Sequence, residues 1–159
     1  MKKFILTDET IEMFGVTLHR IKAVRSFGNI KEGDLGGFVE KEENISENLE
    51  AWVYGDAKVW GNAEVCDNAK VCDNAEVWGN AKVWGNADYI VFKNWWSSGR
   101  YFTWTRSNNM WSVGCFYGTG EELIKKAYQD SEKSGREYER VVKYVESILA
   151  DENNEKTTK

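Results

Sequence analysis

Proline is absent from all 159 residues, and histidine occurs once. Without proline to set corners, sharp reversals fall to glycine, asparagine and aspartate, which tolerate positive φ. Cysteine is scarce as well. Three cysteines make no even disulfide framework and have no zinc-like spacing, which fits a reducing cytoplasm and no metal site. No apolar run approaches the roughly 18 residues of a membrane span. The opening "MKKFILTDETIE" lacks the apolar stretch of a secretory signal. The expected location is therefore the cytoplasm, with no membrane partner. Excess positive charge is missing too. The formal net charge of −5 argues against nonspecific nucleic-acid binding and allows a basic partner.

Tryptophan is abundant, with eight residues, and several of them sit inside a repeated phrase. From Val53 a six-residue unit runs six times, led by Val53, Val59, Val65, Val71, Val77 and Val83. Ala57, Ala63, Ala69, Ala75, Ala81 and Ala87 each follow four places later. Between valine and alanine stands Gly or Asp followed by Asn or Asp, a corner pair. A self-similar period this short predicts a solenoid. The last places of the units, Lys58, Glu64, Lys70, Glu76, Lys82 and Asp88, set the number of sides. With three units per coil, Glu76 stacks over Lys58, Lys82 over Glu64 and Asp88 over Lys70, all opposite in sign. Four units would stack like charges about 4.8 Å apart. The spacing predicts a short three-sided parallel β-helix with valine and alanine pointing inward.

The expected fold is mainly β with C-terminal helices. Residues 1–44 read as an N-terminal β segment and cap, with strands in "KKFILT" and "VTLHRIKAV", a Phe14-Gly15 turn, and "EGDLGGF" as a loop. Residues 45–88 are the β-helix, opened by an imperfect unit, "ISENLEAW", with Ile45 and Leu49 inward. Residues 89–150 read as an antiparallel β-meander, "ADYIVFKN", "RYFTWTR" and "MWSVGCFY", followed by two α-helices. Capping-box patterns at Thr119/Glu122 and Ser134/Glu137 start these helices. Their apolar stripes are Leu123, Ile124, Ala127 and Tyr128, then Tyr138, Val141, Val142, Val145, Ile148 and Leu149. Residues 151–159 are expected to be a flexible, frayed tail.

The aliphatic-x-x-x-small-x pattern in all six units resembles the hexapeptide-repeat superfamily, which implies a left-handed winding. The flanks "LHRIKAVRSFGNIKEGDLGGFVEKEENIS" and "WSVGCFYGTGEELIKKAY" resemble small hexapeptide-repeat proteins of phages and prophage-bearing bacteria. The superfamily also implies one catalytic alternative, an acyltransferase with a histidine base near the coils. Here His19 lies outside the repeat in a strand-like run, and no long loop interrupts the coils. Cys115 reads as part of a buried strand, and Asp67 and Asp73 read as corners. The chain is expected to be non-enzymatic, without a cofactor.

Tyr54, Trp60, Trp78 and Trp84 follow inward valines and so point outward, with Trp60 under Trp78 and Cys66 under Trp84. Large exposed aromatics call for cover. Either the flanking segments fold over them, or they form the interface of a homo-oligomer. The post-repeat segment is the candidate binding site: Trp95, Trp96, Arg100, Trp104, Arg106, Asn108 and Asn109 set aromatic planes beside arginines. The alternative is that this aromatic face packs on the helices. The resulting expectation is a non-catalytic phage-type protein that docks on and inhibits a host protein or nucleoprotein, such as a CRISPR effector. An oligomeric sponge for a nucleotide immune signal is the second reading, and the acyltransferase is the third.

Overall fold

The computed structural model describes residues 2–157. An N-terminal hairpin pairs β1 (Phe4–Met13) with β2 (Val16–Ala23) antiparallel. Phe14 and Gly15 join them with φ of 51° and 84°. A two-residue turn with both φ positive matches the twist of the strands it connects.

The stretch expected to be an entry loop is instead a strand, β3 (Leu35–Val39), antiparallel to β2 and parallel to the first side of the repeat. Its glycines mark close approach, not a turn. A Cβ on Gly37 would stand 2.6 Å from a Val53 methyl and closer still to the Ala57 carbonyl oxygen. Gly37 precedes Val39 as Ala57 precedes Val59, so the periodic packing begins one stretch earlier than the valine-alanine phrase.

The six short repeat strands are β4 (Trp52–Val53), β5 (Lys58–Val59), β6 (Glu64–Val65), β7 (Lys70–Val71), β8 (Glu76–Val77) and β9 (Lys82–Val83). They pair in parallel with an 18-residue stagger: Val59 opposite Val77, Val65 opposite Val83, and Val53 opposite Val71. Every one of these valines is fully buried, as are Ala57, Ala69, Ala75 and Ala81. β3, β5 and β8 form the first stack, β6 and β9 the second, β4 and β7 the third. Ile45 bridges Val65 in parallel and extends the second stack downward. Leu49 does not point inward. It is 60% exposed with φ of 56°, because eight residues separate Ile45 from Val53 where the repeat has six. Ala51 takes the inward place instead.

Of the expected charge ladder, one rung closes: Lys82 Nζ lies 3.9 Å from Glu64. Lys58 and Glu76 are in register, but Glu76 turns to the Ser112 hydroxyl, and burial raises its carboxyl pKa. Asp88 does not stack on Lys70. Its carboxylate accepts from the backbone N–H groups of Trp84 and Gly85, because the chain leaves the repeat there.

Beyond the repeat, β10 (Tyr89–Lys93), β11 (Tyr101–Thr105), β12 (Met110–Val113) and β13 (Phe116–Gly118) form an antiparallel sheet in sequence order. The segment read as one strand through Cys115 is two, broken at Gly114 with φ of 57°. Cys115 is therefore exposed at a turn and not buried in a strand. Helix α1 (Gly120–Asp130) starts with the expected box, Glu122 N–H on Thr119 Oγ1 and Thr119 N–H on Glu122 Oε1. Helix α2 (Glu132–Thr157) starts earlier than expected, with Ser131 Oγ accepting the Ser134 N–H at 3.0 Å. Phe102, Trp104 and Trp111 pack against Leu123, Ala127, Tyr138, Val142 and Val145, whereas Tyr128 stays exposed. The segment expected to fray is helical through Thr157, and Glu152 within it pairs with Arg106. Thr158 and Lys159 lie outside the described residues.

A parallel stack ends in unpaired backbone groups, a ready template for another strand. Here side chains of the following sheet close that edge. Thr103 Oγ1 accepts the Glu76 N–H at 3.0 Å and Ser107 Oγ the Lys82 N–H at 2.7 Å. The Tyr89 hydroxyl accepts from the Cys72 N–H and donates to the Lys70 carbonyl, replacing both partners that a further strand would bring. Buried in this role, the phenol is held well above the usual tyrosine range.

The opposite edge is closed by Lys3. Its fully buried ammonium donates to the Ser46 carbonyl at 2.7 Å and the Ala51 carbonyl at 2.8 Å. Desolvation by burial lowers its pKa to about 8. A lysine depressed in the folded state binds fewer protons there than in the unfolded chain, so stability rises with pH between about 8 and the ordinary lysine value of about 10.4. The expected gain across that window is about 3 kcal/mol. Chemical denaturation of the parent and of Lys3→Met at stepped pH checks it, since the rise should vanish in the variant.

Candidate binding surfaces

The outward aromatics are treated differently on the three stacks. On the first, Trp60 and Trp78 lie face to face, 4.9 Å apart at 20°. Phe14 from the hairpin tip reaches within 6.1 Å of Trp78, and Tyr117 of β13 within 4.3 Å. Leu18 and Phe38 bury the same pair, leaving Trp60 3% exposed, and Trp78 Nε1 donates to Ser112 Oγ at 2.6 Å. This pair is a packing face within the chain. On the third stack Trp52 is buried by Phe4 and Phe27, and Tyr54 packs at the margin of the same core. On the second, the Trp84 indole is 47% exposed.

Most of the seven candidate binding residues serve the fold. Trp104 is fully buried and donates to Asn109 Oδ1 at 2.8 Å. Arg106 lies over the Trp104 ring, donates to the Ala87 carbonyl, and pairs with Glu152. Asn108 accepts from Thr105 Oγ1 at 2.6 Å and donates to the Tyr117 hydroxyl at 2.9 Å. Trp96 packs edge-on against Tyr138 and donates to Ser134 Oγ. These polar atoms satisfy one another, so they do not converge on a shared pocket.

Trp95 and Arg100 differ: both stay exposed, at the two ends of one turn, with Trp95 at 66%. Asn94, 4% exposed, builds that turn. Its Oδ1 accepts from the Ser97 N–H and hydroxyl, its Nδ2 donates to the Tyr138 hydroxyl, and its backbone bonds to Gly99 and Arg100. Trp95 is therefore held out on a fixed turn. Its ring stands edge-on to Trp96 at 5.9 Å, with Lys133 Nζ 5.0 Å over its face. Exposed Tyr101 adjoins Arg100 in sequence. The organiser Asn94 escaped the sequence reading, although Asn-x-x-Ser is a side-chain turn pattern that marks it.

His19 has a structural role, with Nδ1 3.1 Å from the Thr7 carbonyl oxygen inside the hairpin sheet. Asp67 and Asp73 are corners with φ of 54° and 59°. Among the described residues, no three His, Cys, Asp or Glu side chains gather into a metal-sized cluster. No helix among them is long and apolar enough to cross a membrane. Compared with known proteins, the chain matches no family model, and no curated protein matches it.

Proposed function

We propose that this chain is a non-catalytic binding protein that docks on and inhibits a host macromolecule, as a phage or prophage anti-defence protein would. In this reading the repeat is a rigid scaffold, a three-sided, left-handed parallel β-helix. The 18-residue stagger of its strands and the hexapeptide pattern support that geometry. The host cytoplasm is the proposed place of action, and a protein or nucleoprotein the proposed target.

One observation carries the docking role: an indole held 66% exposed on a turn whose backbone and side-chain bonds are already made. Exposing an aromatic of this size forgoes burial free energy. Holding it rigid lowers the entropy lost on binding, and tryptophan, tyrosine and arginine dominate interface hot spots. Lys133 over the Trp95 ring, with exposed Arg100 and Tyr101 at the far end of the same turn, supplies that composition and suits an acidic or aromatic patch on the target.

Trp95→Ala should leave the circular dichroism and melting temperature of the chain nearly unchanged. It should weaken capture of the host partner by about 2 kcal/mol, roughly 30-fold in affinity. Parallel pull-downs from the natural host with parent and variant, followed by titration of the captured protein, measure this. Equal capture by both proteins refutes the role of Trp95.

A further inference from the structure

We infer that the outer face of the second stack binds a second copy of this chain in an antiparallel, two-fold arrangement. The first and third stacks are covered from within the chain, but the second keeps its outward side chains half exposed. Glu64 and Lys82 each leave 50% of the side chain in solvent, and Trp84 is 47% exposed. Below Trp84 a groove of 460 Å³ opens, lined by Ile45, Ser46, Glu64, Val65 and Cys66, with Glu42, Glu43 and Glu47 at its sides. A cavity of about 150 Å³ already admits benzene, so the groove has room for an indole.

One face thus carries both a projecting ring and a recess for one. It also carries opposite charges in successive layers, since Glu64 and Lys82 are in parallel register. An isologous contact requires a surface complementary to itself. A two-fold axis parallel to the strands, passing between the layers of Val65 and Val83, supplies this. It sets Glu64 opposite the partner's Lys82 and Lys82 opposite the partner's Glu64. It also brings Trp84 of each copy over Cys66 and the groove of the other. Each contact is made twice. A two-fold along the coil axis would instead set like layers side by side with strand direction reversed, so that Lys82 would no longer meet the partner's Glu64. The dimer is expected to be a micromolar one that exchanges with monomer.

Sedimentation equilibrium over a concentration series tests the inference, with circular dichroism confirming that each variant is folded. Lys82→Glu should weaken association about tenfold or more, and Trp84→Ala should do so as well. The double change Glu64→Lys with Lys82→Glu should restore it, because the exchanged charges remain complementary under the two-fold. Mixing Glu64→Lys with Lys82→Glu should produce a heterodimer that neither variant forms alone. A parent that is monomeric at about 100 micromolar overturns the inference, and so does a dimer that none of these changes shifts. Trp95 lies outside this face, so failure here leaves the docking role standing, and the reverse also holds.

Discussion

Replacing Trp60 and Trp78 together with glutamate is expected to unfold the monomer. The two indoles are stacked 4.9 Å apart against Phe14, Leu18, Phe38 and Tyr117, with Trp60 buried and Trp78 partly buried, so the carboxylate at position 60 would be buried and the one at 78 partly desolvated. Removing one large buried aromatic typically costs about 3–5 kcal/mol, and a charge buried at position 60 adds several more. The total rivals the whole stability of about 5–15 kcal/mol that small domains have. Circular dichroism should show loss of β signal at 25 °C, and light scattering should show no folded monomer of native size. A folded monomeric variant would instead mean that this pair is dispensable to the chain, contrary to its packing.

The second large effect belongs to the smallest side chain. Gly37→Ala adds one methyl group, yet its Cβ would stand 2.6 Å from Val53 Cγ1 and closer to the Ala57 carbonyl oxygen. Neither neighbour can yield easily: Val53 and Ala57 are both fully buried. β3 would have to lift away from β5, opening the joint between hairpin and repeat. Overpacking of this kind costs about 1–3 kcal/mol and occasionally more, and a backbone clash belongs at the upper end. Urea denaturation should show the midpoint falling by that amount. Gly15→Ala is a useful contrast, because no atom lies within 4 Å of a Cβ there and only its φ of 84° opposes the change.

The local regularities were legible without coordinates because each is a short-range rule. Valine and alanine point inward because side chains alternate along an extended strand. The stagger of 18 residues could be read from the alternating charge signs, since like charges repel across a ladder, although only the Glu64–Lys82 rung closes as an ion pair. The Thr119 cap needs only hydroxyl and carboxylate at the right separation. The same rules failed where one residue type serves two purposes. Glycines in "EGDLGGF" suggest a turn, but Gly36 and Gly37 are there for close approach inside a strand. Leu49 fits the inward pattern, but an interval longer by two residues swings it into solvent.

The candidate site divides along the same line. Tryptophan next to arginine identifies chemistry, so Trp95, Arg100, Trp104 and Arg106 looked alike in the sequence. Which of them faces solvent depends on what packs against each, and that is non-local. Glu152, 46 residues along the chain, takes Arg106, and the helices bury the Trp104 face. Asn94 keeps Trp95 out on its turn. By itself the sequence determined the period of the repeat, its inward residues, the strand-then-helix order and the presence of outward aromatic ladders, all products of spacing between neighbours. Only the tertiary structure decided which ladder is covered, by Phe14 and Tyr117, and which is bare, at Trp84. The free energy of burial depends on contacts between segments far apart in the chain, and no local pattern records them.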